Sequence, residues 1–274
     1  MVKSLLLSSV ALVAFAGAGT HQFSTTLTTI PKPLSPPFPV HLLEPEGPIE
    51  AFAPGEFLTY DIDYGPIPAG TASLAVHELS DGTWRLEAMG KSRRFYDWIF
   101  PVRDSYVSVF DPTSQLPVRF LRDVSEGGYE LHQDYAFDWS AGWCETEEHR
   151  RRTPDEDDAF ALPGRVQDMV SAFYTLRNLD FSTAEPGDIF TLPTIVDGEL
   201  FPLSVTFLGR DQVRLSDQTH SALAFQPVIQ EGRIWSSRDD LTVWVSDDRA
   251  HVPLVAETRL LIGSLRLTLT SRVQ

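Results

Sequence analysis

The chain has 274 residues, of which 42% are hydrophobic and 11% aromatic, and its 38 acidic against 22 basic side chains leave a net charge of −16. This is enough apolar material for one large domain or two small ones. A surface this acidic repels nucleic acid and anionic lipid headgroups, because phosphate contacts depend on Lys and Arg.

Taken from its start, Met1 to Ala18 reads as a secretory signal, with Lys3, an apolar run from Leu5 to Phe15, and Ala16-Gly17-Ala18 as a small-x-small cleavage site. The run is too short to span a bilayer, which takes about 20 residues. The expected product is exported to the periplasm or secreted, and is soluble after the signal is removed. Cys144 is the single cysteine, so no internal disulfide is expected. It also lies too far from the cleavage site to carry a lipid anchor. Residues 19–54 hold eight of the 20 prolines, which predicts an extended or disordered segment that is not packed.

From Gly55 the pattern becomes alternation with period two, the signature of strands. Leu58, Tyr60, Ile62 and Tyr64 alternate with Thr59, Asp61 and Asp63; Ala72, Leu74 and Val76 follow; Leu265, Leu267 and Leu269 close the chain. Asp81-Gly82, Gly127-Gly128 and Asp197-Gly198 read as hairpin turns. About twelve strands fit this spacing. Arg93 to Phe100 is dense in aromatics and reads as a short helix or flap at a cavity mouth, or as a lid packed on the sheet edge.

The next two strands carry a pair of anomalies. In Phe100 to Phe110, the residues Phe100, Val102, Asp104, Tyr106 and Phe110 share one face, which places an acid on the apolar side. In Val118 to Val124, the residues Val118, Phe120 and Arg122 share the apolar face, which places a base there. Pairing Phe110 with Leu116 across the turn Asp111–Gln115 sets Asp104 directly opposite Arg122. Burying the two together is cheaper than burying either alone. The pair reads as a structural lock on register or as a polar anchor for a ligand headgroup.

The run Glu145 to Asp158 reads as a solvated hairpin tip or loop, and Asp247-Asp248 as a turn. One helix interrupts the strands. Between Gly164 and Asp180, Val166, Met169, Val170, Phe173 and Leu176 fall at helical spacing, with Asp168 near the start and Arg177 near the end, as the helix dipole favours. On either side of it, Pro54-Gly55-Glu56 and Pro186-Gly187-Asp188 echo each other and hint at two related halves. At three residues each, chance is the better account.

Nucleotide-binding loops, serine-hydrolase elbows and zinc motifs are absent from the sequence. No metal, cofactor or catalytic residue is implied. Asp61 and Asp63 stand about 6.7 Å apart along one strand face, a glycosidase-like separation, but on the polar side.

Several short pieces, in order, carry a family resemblance: Gly55-Glu56…Leu58-Thr59-Tyr60, Ala69-Gly70-Thr71-Ala72, Pro101 to Tyr106, Glu126-Gly127-Gly128-Tyr129, Gln167 to Tyr174, and Leu241 to Asp248. On these the chain resembles the bacterial exported family called domain of unknown function 3108. Thr219-His220-Ser221 departs from it, where a glycine in a tight turn is expected. The resemblance implies an exported β protein and supplies no activity. By looser analogy it is similar to LolA/LolB-like lipoprotein carriers, which hold acyl chains in an apolar cavity.

The expectation is an all-β, mainly antiparallel fold: an open or half-closed β-barrel with one amphipathic helix packed in its concavity, residues 55–274 forming a single β domain. The expected role is non-catalytic binding or carriage of an apolar or amphipathic envelope ligand, with Trp98, Phe100, Val102, Asp104, Tyr106, Phe120, Arg122 and Phe173 as candidate contacts. A cavity of roughly 300 Å³ or more would support carriage, and a core filled by the helix would count against it. The alternatives are a glycan-acting envelope enzyme, which needs convergent carboxylates among Asp61, Asp63, Asp104 and Glu126, and an assembly factor for another exported protein, which needs an exposed apolar patch or a free sheet edge.

Overall fold

The computed structural model describes residues 40–43, 47–98, 100–151, 153–227, 241–259 and 263–274. The expected signal segment and residues 19–39 lie outside the described residues. The alternating sequence forms fifteen strands: β1 (Val40–Leu42), β2 (Phe57–Tyr64), β3 (Ile67–Glu78), β4 (Trp84–Ser92), β5 (Val102–Asp111), β6 (Leu116–Glu126), β7 (Tyr129–Asp138), β8 (Trp143–Arg150), β9 (Glu156–Ala161), β10 (Ile189–Val196), β11 (Glu199–Leu215), β12 (Gln218–Pro227), β13 (Leu241–Ser246), β14 (Pro253–Arg259) and β15 (Ser264–Val273). One helix, α1 (Met169–Arg177), separates β9 from β10.

All fifteen strands belong to one sheet, ordered β1-β10-β11-β12-β13-β14-β15-β2-β3-β4-β5-β6-β7-β8-β9. Every pairing is antiparallel except β1 with β10. The last strand, β15, pairs with β2 and so joins the two arms of the sheet. The sheet does not close: β1 and β9 are its edges.

The sheet curls around α1, which contacts β4 and β5 on one arm and β10 on the other. Met169, Val170 and Tyr174 are fully buried in the main core with Leu58, Val76, Leu86, Phe110 and Phe120. The helix therefore fills the concavity, as a lone amphipathic helix must when it has only a sheet to bury against.

The helix is shorter than its periodic pattern. It begins at Met169 and not at Gly164, because Asp168 caps it: the carboxylate accepts from the N–H groups of Val170 and Ser171 at 2.7 and 2.8 Å. Just before the cap, Gln167 runs extended, donating its N–H to Pro193 and accepting from Ile195 N–H in a parallel bridge to β10. A residue bonded that way cannot also belong to a helical turn.

Three other expectations need correction. The end of the proline-rich segment is packed: β1 joins the sheet, Ala51 and Phe52 are core residues, and the Asn178 side chain accepts from the N–H groups of Glu50 and Ala51. The acidic run 145–158, expected as a solvated hairpin tip or loop, is more than a tip: it forms most of an exposed hairpin of β8 and β9 that turns between Arg150 and Glu156. Thr219 to Ser221 lie within β12, and the tight turn falls at Ser216, whose φ is 52°.

The echo between the two halves has a structural meaning. Gly55 donates to Val76 O while Val76 donates to Glu56 O; Gly187 donates to Phe207 O while Phe207 donates to Asp188 O. Each Pro-Gly-acid motif thus opens its half of the sheet through the same pair of backbone bonds.

Candidate functional site

Asp104 and Arg122 do lie on the inner face, at 5% and 6% exposure, but not opposite each other. Arg122 faces Tyr106, and Asp104 faces Val124. Two local features account for the two-residue slide. The turn is tighter than expected, with Asp111 rather than Phe110 opposite Leu116, because the Asp111 carboxylate accepts from the N–H groups of Thr113 and Ser114. A bulge then shifts the register between Val109 and Phe110 and leaves Val118 exposed, not on the apolar face as expected. Each moves the pairing by one residue, so together they keep the face and change the partner.

The partner that Asp104 meets is another acid. Glu126, at the end of β6, is 4% exposed and shares a carboxyl–carboxyl hydrogen bond with Asp104, whose other oxygen contact is the N–H of Ser125 at 3.1 Å. Burial, then the Glu126 charge, push the Asp104 carboxyl up to about 8, with Arg122 pulling the other way. Two buried acids in contact cannot both ionise cheaply, so the pair holds a proton at neutral pH.

Arg122 is held elsewhere. Its Nη1 reaches Asp197 at 3.0 Å and Gln133 at 3.3 Å, and its guanidinium lies over the Tyr106 ring. Burial opposes the charge, but Tyr106 and Asp197 keep the group firmly protonated. Burial also pushes the Tyr106 phenol up to about 12. Gln133 passes the network on to Glu148 at 2.6 Å, and Glu148 to Arg150 at 2.6 Å. Asp197 sits in the β10–β11 turn, far from β6, β7 and β8 in sheet order. The curl of the sheet brings it across, and side chains tie the two arms together there.

Among the expected contact residues, the structure thus brings Asp104, Tyr106 and Arg122 into one buried cluster, with Val102 and Phe120 packed on the same inner face. Phe100 is half-buried and lies against Gly127, whose φ is 53°. A Cβ on Gly127 would overlap the Phe100 ring, so Gly127→Ala is expected to cost about 1–3 kcal/mol in chemical denaturation. Trp98 stands apart, 78% exposed. Of the carboxylates named as a glycosidase set, Asp104 and Glu126 meet, whereas Asp61 is on the outer face with Arg93 at 3.1 Å, and Asp63 shares that face.

Phe173 lies in the other arm, on the wall of an apolar pocket of about 60 Å³ between α1 and β11, β12 and β13. Leu176, Phe181, Val205, Phe225, Pro227, Val243 and Val245 form the remaining apolar wall. At its inner end are Arg177 and His251. Arg177 is fully engaged with Glu56, at 2.7 and 2.9 Å, and His251 Nδ1 bonds the Arg177 carbonyl at 2.7 Å. Burial pulls the His251 imidazole below its ordinary range, so it is neutral at pH 7. Of the candidate contacts read from the sequence only Phe173 lies here; Leu176 read as part of the helix stripe, and Val205, Phe225, Val243 and Val245 as ordinary strand interiors.

The model of the family described as "Protein of unknown function (DUF3108)" matches residues 59–270. Among solved structures, the chain is similar to a β-barrel-like protein of domain of unknown function DUF1849 from Brucella abortus, at a TM-score of 0.50 and 10% identity, covering 81% of this chain and 98% of that one. A likeness at that identity concerns the fold. No curated protein matches the chain.

Proposed function

Since the chain belongs to the DUF3108 family, whose description carries no activity, we propose from its own geometry that it is a non-catalytic envelope binding protein that senses amphipathic molecules by the aliphatic end. The observation that carries this reading is the pocket beside α1. Its accessible wall is apolar, and its 60 Å³ has room for about four water-sized groups.

Pocket size selects between two forms of this role. A carrier must hide a whole acyl chain, because each methylene left in water forfeits about 0.8 kcal/mol. The helix fills the concavity where such a chain would lie, and 60 Å³ holds only a terminal stretch. Gripping the tip and leaving the headgroup outside suits a sensor or tether rather than a carrier. The signal-like start at residues 1–18 supports placing this role in the periplasm or outside the cell.

The test is titration of the protein with dodecanoate, followed by calorimetry. Val243 is half-buried on the pocket wall, so Val243→Trp should fill the space without unfolding the sheet. Saturable binding by the wild type, weakened at least about tenfold in Val243→Trp, is the expected result. No saturable heat with the wild type, or equal binding by the variant, would overturn the proposal.

A further inference from the structure

The segment between β4 and β5 is the most exposed apolar feature among the described residues: Phe95 is 72% and Trp98 78% exposed. It is not slack. Asp97 is gripped by Arg103 at 2.6 Å and by Ser92 Oγ at 2.6 Å, and Ser92 Oγ also accepts the N–H of Val102 at 3.0 Å. Tyr96 N–H bonds Arg93 O and Phe100 N–H bonds Tyr96 O, which closes a compact turn. A clamped turn that leaves two large aromatics in water forgoes burial that a free loop could seek by folding back.

Antiparallel pairing puts the β2–β3, β4–β5 and β6–β7 connections at one end of the barrel. Ile67 and Tyr129, at the two neighbouring connections, are exposed as well. By the same pairing the acidic β8–β9 connection, with Asp155 and Glu156, falls at this end too, but on its β4–β5 side the charge differs. Lys91 is the only lysine after Lys32, in a sequence with a net charge of −16. Lys91 and Arg94 are exposed and form no ion pair among the described residues, while Arg93 and Arg103 are balanced by Asp61 and Asp97.

From this we infer that the β4–β5 side of this end docks on an anionic bilayer surface, with Phe95 and Trp98 entering the interface and Lys91 and Arg94 meeting lipid phosphates. Trp beside basic side chains is the composition that settles at headgroup depth, apolar ring inward and charge outward. The negative charge of the chain, including the acids that open β9, is repelled by such a surface, so contact is confined to the β4–β5 side of this end. The docking does not rest on the pocket beside α1, which lies in the other arm.

The experiment is flotation of the exported protein, purified from periplasmic extract, with vesicles of phosphatidylglycerol and phosphatidylethanolamine, against vesicles of phosphatidylcholine alone. Wild type should float with the anionic vesicles and be released by salt. Phe95→Ser/Trp98→Ser should reduce partitioning at least about tenfold, with an unchanged melting curve because both side chains are exposed. Lys91→Gln/Arg94→Gln should reduce it about fivefold for each charge. Val243→Trp should float like wild type, so failure of the pocket reading and failure of this one are distinguishable. Wild type that stays in the unbound fraction, as it would if this end docked on a protein, overturns the inference, as does equal flotation of the aromatic variant.

Discussion

Arg177→Met is expected to cost about 3–5 kcal/mol of folding stability, a large share of the roughly 5–15 kcal/mol that holds a typical domain together. Arg177 ends α1, where a base favours the helix dipole, but its position does more than that. The side chain is buried, forked onto both oxygens of Glu56, and its Nη2 also reaches the Ala250 carbonyl at 3.2 Å. The guanidinium lies over the rings of Phe52 and Tyr174, at 5.7 and 5.2 Å from their centroids. Three separate parts of the chain meet there: the entry to β2, the end of the helix and the β13–β14 turn. Removing the arginine leaves the Glu56 carboxylate inside the protein with no counter-charge. Glu56→Gln/Arg177→Met removes both charges and should regain much of the loss. Urea midpoints of the single and double variants measure this directly. A single-variant loss below about 1 kcal/mol would mean that water reaches the pair.

The second large effect depends on pH. The Asp104 carboxyl, at about 8, binds its proton more tightly in the folded chain than in the unfolded one, where it titrates near 3.9. The native state therefore holds the extra proton between those values. Stability from this group is fully present below about pH 4 and is lost as pH rises towards 8, by at most about 1.4 kcal/mol per unit. Asp168, raised to about 6 by burial despite its cap bonds, acts in the same direction over a lower range. His251, held low by burial, acts oppositely below its ordinary range. The difference between wild type and Asp104→Asn cancels these other groups. Asparagine can still donate to Glu126 and accept from Ser125, as the protonated acid does. The expected result is that wild type loses ground to Asp104→Asn steadily from pH 5 to 8. A difference that is flat with pH, or of opposite sign, would show that Asp104 and Glu126 do not share a proton.

The sheet was legible in the sequence because its inner and outer faces alternate cleanly, as in β2, where Leu58, Tyr60 and Ile62 are buried and Thr59, Asp61 and Asp63 are not. Asp104 and Arg122 were legible as inward polar residues for the same reason. Their partners were not. Alternation fixes a face but not a register, and the register turned on the Asp111 turn and a one-residue bulge, neither of which changes residue chemistry. The Glu56–Arg177 pair and the Arg122–Asp197 contact join residues 121 and 75 positions apart, which no local pattern encodes. The pocket escaped notice because Val205, Phe225, Val243 and Val245 look like any strand interior until the helix passes close by.

Among the described residues β9 is an edge strand, paired only with β8. An edge strand is a template onto which a second β chain can add itself, and stacking of that kind begins aggregates. Here the strand opens with Glu156, Asp157 and Asp158, all exposed, and its neighbour β8 adds Glu145 and Glu147. Another copy approaching this edge in the same way would have to set its own acids against these. Part of the net negative charge is therefore spatially specific: it guards the longer of the two sheet edges among the described residues.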